Sequence, residues 1–108
     1  MKILNALLIG SLLVGGSLYA DAKSGQKYYL KKLKKCKKDG FKNGGAFAAS
    51  KSRDDWEILK EDGELLNEWK TICPTGAKRF DKMKKKNVND LYDFVHKYAS
   101  DGEVPSCG

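Results

Sequence analysis

The apolar positions of this chain form one continuous run followed by sparse helical stripes. Ile3 to Val14 is a largely apolar stretch without a charge. Beyond it, Tyr29, Leu33 and Cys36 recur at i, i+4 and i+7, which predicts a helix from Gly25 to about Lys38. Ser24 is placed to cap it and Asp39-Gly40 to end it. Asn43-Gly44-Gly45 reads as a loop, with one helical turn over Ala46 to Ala49. Ser52-Arg53-Asp54-Asp55 resembles a capping box for a helix that carries Trp56 and Leu59 and stops at Asp62-Gly63. A further helix, Glu64 to Cys73, aligns Leu65, Trp69 and Ile72 and ends at Pro74. Thr75 to Asn87 reads as a basic connection anchored by Phe80 and Met83. The last helix is capped by Asn89, carries Leu91, Phe94, Val95 and Tyr98, and closes at Asp101-Gly102. No segment alternates with period two over a strand's length, so the expected class is small all-α with about four helices.

The first run has the grammar of a secretory leader. Lys2 is a positive n-region, Ile3 to Val14 is too short to span a bilayer, and small residues follow. Cleavage after Ala20 or after Ala22 is expected, the second giving the better motif, Ala20-Asp21-Ala22. Residues 1–22 are then a signal peptide and 23–108 one helical domain. The mature chain has no transmembrane segment and resides in the periplasm or outside the cell, where disulfides persist.

Composition sharpens this picture. Of the 44 apolar residues, 13 lie in the first 20, and Leu, Ile, Val and Phe supply only 15 of the remaining 88. Such a thin core borders on the composition of disordered chains. It calls for a compensating constraint.

The net charge of +7 is segregated. Lys23 to Lys42 holds nine Lys and one acid, Asp54 to Glu68 holds seven acids and one base, and Lys78 to Lys86 holds six bases and one acid. This pattern suggests docking to an acidic redox or envelope protein, or to an anionic membrane surface. The same lysines also serve as the solvated faces of amphipathic helices. The expected compartment and the absence of nucleic-acid-binding signatures argue against nucleic acid.

Three cysteines in an oxidising compartment leave one over. The preferred bridge is Cys73–Cys107, which would tie down the tail Val104-Pro105-Ser106-Cys107 and leave Cys36 as a buried free thiol. The rival pairing is Cys36–Cys73. No C-x-x-C occurs, and His96, the only His, is expected at the rim of the last helix. These residues match no zinc-finger spacing. No Ser/His/Asp or Cys/His constellation is present, so no catalytic residue, metal site or enzymatic activity is expected.

The ends of the mature chain resemble a class I cytochrome c. Gly25-x-x-x-Tyr29 with Leu33 and Cys36 is similar to that family's first helix, and Leu91 to Ala99 to its last. A closer resemblance is to small secreted cytochrome-c-like proteins that lack the haem motif. It is carried by Asn43-Gly-x-x-Phe47-Ala48, a Trp-containing helix, Ile72-Cys73-Pro74 and the closing Val104-Pro105-Ser106-Cys107. The resemblance implies an orthogonal helical domain. The chain departs from the haem-binding pattern because Cys36 is followed by Lys37, Lys38 and Asp39 instead of x-x-C-H. The expectation is therefore no cofactor, with Trp56, Trp69, Phe41, Phe47 and Phe80 filling the centre. The function implied is binding, as an accessory near respiratory or redox partners. The alternatives are a haem c electron carrier attached atypically through Cys36, with Lys37 and Met83 as ligands, and a cationic membrane-surface binder.

Overall fold

The computed structural model describes residues 21–104. Most of the expected leader and Cys107 lie outside them. Among the described residues the chain is helical and forms no strand, so it is a small all-α domain. Its α-helices are α1 (Ala22–Lys32), α2 (Gly44–Ala48), α3 (Arg53–Glu61), α4 (Leu65–Ile72), α5 (Ala77–Asp81) and α6 (Lys85–Lys97). Two 3-10 helices, Lys34–Asp39 and Pro74–Gly76, join them. No helix among the described residues is long and apolar enough to cross a membrane.

The first predicted helix is divided. α1 begins three residues early because Asp21, not Ser24, is the cap: its carboxylate accepts the Ser24 N–H at 2.6 Å. That hydrogen bond holds the Asp21 carboxyl below its ordinary pKa. The α-helix stops at Leu33, whose N–H still donates to the Tyr29 carbonyl. Six of the eight residues 31–38 are Lys, and like charges at i, i+3 and i+4 weaken an α-helix. The chain winds into the tighter 3-10 form, and Gly40, with φ 102°, reverses it. Tyr29, Leu33 and Cys36 are nevertheless all buried, as their spacing predicts.

The capping box holds, since Ser52 Oγ accepts the Asp55 N–H at 3.2 Å and α3 starts at Arg53. α4 follows its predicted stripe, burying Leu65 and Trp69. The segment Thr75 to Asn87, expected as a basic connection, is largely helical. It contains part of the second 3-10 helix, all of α5 and the first residues of α6. α6 accordingly begins at Lys85, and Asn89 is an interior residue instead of a cap. The segment's density of Lys hides a helical signal that rests on Phe80 alone, which is fully buried.

α1 packs along α6 at the centre of the fold. Contact is close because Gly25 has no side chain: a methyl there would collide with the Asp90 carbonyl and the Phe94 Cβ. The core is aromatic. Trp56, Trp69, Phe47, Phe80 and Phe94 are fully buried, while Phe41 packs at the margin. Trp69 stacks on Phe80 with centroids 5.9 Å apart and meets Trp56 at 6.5 Å. Tyr29 joins the Phe47 ring at 5.0 Å. Broad rings thus supply the area that the scarce aliphatic residues do not. Arg53 ties α3 to the end of α6, with Nε donating to the His96 carbonyl at 3.1 Å and its backbone N–H to Asp101 at 2.9 Å.

The disulfide differs from the preferred expectation. Cys36 is bonded to Cys73, with Cα atoms 5.2 Å apart, so Cys73 does not pair with Cys107 and Cys36 is not a free thiol. The physical reason is burial. Both sulfurs lie in the core where the two 3-10 helices meet. The stripe of Tyr29, Leu33 and Cys36 places Cys36 in the core as expected, but the core also receives Cys73, and the two sulfurs bond there instead of leaving Cys36 free.

Candidate functional site

The two 3-10 helices meet beneath a cationic surface. The Cys36–Cys73 bond fixes one to the other. Asp39 adds a second tie, accepting the Thr75 N–H at 3.1 Å and the Thr75 hydroxyl at 2.9 Å. Beneath them Gly76 is buried, with room for its neighbours only because it lacks a side chain: an added Cβ would sit 3.2 Å from Cys73 Sγ and 3.3 Å from the Phe80 ring.

Above this joint is a groove of about 150 Å³ lined by Lys32, Lys35, Thr75, Gly76, Lys78, Arg79 and Lys82. The first two lysines come from the amino-terminal basic segment and the other three cations from the second, so the fold brings together what the sequence separates. All five are exposed. No carboxylate lines the groove, and none of the five cations forms an ion pair among the described residues. Of the nearby acids, Asp39 is occupied by Thr75, and Asp81, next to Lys82, pairs with Lys70 at 2.8 Å. Five unneutralised charges around a concavity focus a positive potential that a scattered set of lysines would not.

A second concavity, about 230 Å³, uses other residues of the same 3-10 helix. Lys34, Lys37 and Lys42 frame Tyr29, Leu30 and Phe41 there. Leu30 is 49% exposed, a large apolar residue beside cationic ones. Burial pushes the Tyr29 phenol up to about 12, so it stays protonated across the physiological range.

The acidic segment contributes little to either concavity. Two of its carboxylates are paired away from both concavities, Glu68 with Lys51 at 2.8 Å and Glu57 with His96 Nε2 at 2.7 Å. His96 thus sits at the rim of α6, where the sequence places it. Among the described residues no three of His, Cys, Asp and Glu are gathered as a metal site would need.

The residues of the atypical haem alternative do not converge. Cys36 is fully buried with its sulfur bonded to Cys73, which leaves no thiol for a thioether. Lys37 is exposed and lines the second concavity, whereas Met83 packs half-buried against the aromatic core. This arrangement does not fit haem attached at Cys36.

Sequence reasoning named the basic segments but not their meeting. The spacing of charges along the chain carries no information on which segments join. The signal that could have exposed it was the rival Cys36–Cys73 pairing, which brings Lys35 and Lys78 to one place. Compared with protein-family models, curated proteins and solved structures, the chain matches no family, no curated protein and no solved structure.

Proposed function

We propose that this is an exported, haem-free binding protein that docks an acidic partner protein through the groove between Lys32, Lys35, Lys78, Arg79 and Lys82. The observation that carries the reading is the convergence of five unpaired cations around one concavity with no acid in its lining. Export is supported by the leader-like run Ile3 to Val14 and by a buried disulfide, which persists in oxidising compartments. A cytochrome-c-like origin remains the resemblance drawn from sequence, and the aromatic core supports a version of such a domain that needs no cofactor to fill it.

The groove's shape favours a protein over a membrane. A concavity of about 150 Å³ accepts protruding carboxylate side chains. A bilayer presents a flat surface, and stable membrane contact asks for apolar side chains beside the charges. The exposed large apolar residues Leu30, Ile58 and Val104 do not line this groove.

The test is a nuclear magnetic resonance titration with a short polyglutamate peptide. Shifts confined to Lys32, Lys35, Thr75, Gly76 and Lys78 to Lys82, weakening with added salt, are the expected result. Shifts spread evenly over all surface lysines, or none, contradict it. Anionic vesicles form the second arm, and preferential binding to them over the peptide would replace the protein partner with a membrane.

A further inference from the structure

Among the described residues, Asp90 is the one charged residue that is buried, with its side chain 3% exposed. A buried carboxylate requires partners. One oxygen, Oδ2, accepts from Lys86 Nζ at 2.8 Å, and the contact raises the Lys86 pKa. The other, Oδ1, accepts the backbone N–H of Asp21 at 3.1 Å. Asp21 is the cap of α1 and lies at the edge of the expected leader. A buried acid on the last helix thus faces the nitrogen of a residue at one of the two candidate processing points.

We propose that the chain is processed between Ala20 and Asp21, and that the new α-ammonium of Asp21 forms an ion pair with Asp90 that locks α1 onto α6. The proposal rests on the export reading above. The chemistry is hydrolysis of one peptide bond by an export-linked peptidase. Water adds its oxygen to the Ala20 carbonyl carbon, and the Asp21 nitrogen leaves as an amine and takes up a proton. At neutral pH that amine is mainly an ammonium. Each oxygen of Asp90 then has a cationic partner, where before one had only a neutral amide.

Three observations favour this point over the bond after Ala22. Removing Asp21 would delete the cap that receives the Ser24 N–H and the carbonyl that receives the Gly25 N–H at 3.1 Å. It would leave Asp90 Oδ1 without its partner. It would also unfasten α1 where Gly25 makes its closest approach to Asp90. An ammonium at a helix N-terminus opposes the helix dipole, and the carboxylates of Asp21 and Asp90 offset that cost. The sequence motif alone prefers Ala20-Asp21-Ala22; the folded product prefers to keep Asp21.

The test begins with the intact mass of the exported protein. A chain starting at Asp21 is expected. One starting at Lys23 overturns the proposal but leaves export standing, and one starting at Met1 overturns both. The ion pair is tested with the Asp21-starting protein, free or N-acetylated, in the natural and Asp90→Asn backgrounds. Acetylation keeps an N–H but removes the charge. It should lower the melting temperature by about 5 °C with Asp90 present and have little effect with Asn. No difference with Asp90 present, or an equal one in both backgrounds, overturns the pair.

Should Asp90→Asn not fold, the titration of the free α-amine decides. Asp90 contacts this nitrogen, the carboxylates of Asp21 and Asp93 lie close enough to act on each other, and Lys86 opposes them. The amine should titrate above the ordinary range of about 7.7–8.0. A value within or below that range contradicts the pairing.

Discussion

Cys36 and Cys73, 37 positions apart and both fully buried, are joined where the two basic segments of the chain meet. The bond does two things. It closes a long loop in a chain with few aliphatic residues, and it fixes the walls of the cationic groove relative to each other. In the chain-entropy model a loop of this length contributes about 4 kcal/mol.

Reduction, or Cys36→Ser together with Cys73→Ser, should therefore lower the unfolding free energy by about 3–4 kcal/mol. Urea denaturation with and without a reductant measures it. Peptide mapping of the oxidised protein should recover the Cys36–Cys73 linkage. Recovery of Cys73 with Cys107 would contradict the packing.

The two buried tryptophans should respond differently to the same substitution. Trp56 Nε1 donates to the Ala48 carbonyl at 2.9 Å, whereas Trp69 Nε1 is buried without a partner among the described residues. Trp56→Phe loses ring area and orphans a buried carbonyl, while Trp69→Phe loses similar area but relieves an unpaired donor. The first should be more destabilising by about 1–2 kcal/mol in chemical denaturation.

How far the sequence could be read follows from which signals are local. Trp56 after its Ser52 cap, and the stripe of Leu91, Phe94 and Val95, are visible because capping and helical spacing act over a few residues. The early start of α1 was hidden because Asp21 reads as leader until its bond to Ser24 is seen. The start of α6 at Lys85 was hidden by a run of lysines without apolar spacing. The burial of Asp90 was beyond reach: Lys86 lies one turn away on the same helix, but Asp21 caps α1, and only the packing of α1 on α6 brings its N–H to Asp90. The groove belongs with Asp90, as Lys35 and Arg79 become neighbours through a disulfide whose partners the sequence leaves open.

Stability should fall on the alkaline side. Burial, assisted by the negative charge of Asp39, raises the Tyr29 pKa from 10.0 to about 12. Between these values the unfolded chain releases the phenolic proton and the folded chain keeps it. The unfolded state then binds fewer protons, so stability declines as pH rises from 10 toward 12, by about 2–3 kcal/mol in all. Below pH 10 both states are protonated and the effect vanishes. Denaturation across this window, compared with Tyr29→Phe, should show a shallower decline in the variant.

The protein exported in its native host should show no Soret band. Its intact mass should equal the polypeptide less the two hydrogens of one intramolecular disulfide, because the Cys36 sulfur is engaged with Cys73. A Soret band with a matching mass increase would restore the electron-carrier alternative.

The central claim is that the arrangement of charge, not its amount, makes the binding surface. Two double variants change the net charge equally: Lys35→Glu with Arg79→Glu inside the groove, and Lys84→Glu with Lys85→Glu on exposed positions outside its lining. Their affinities for a polyglutamate peptide, measured by calorimetry at one salt concentration, decide the matter. The groove variant should bind at least roughly tenfold more weakly than the unaltered protein, with the control close to it. Equal losses in the two variants would contradict the account.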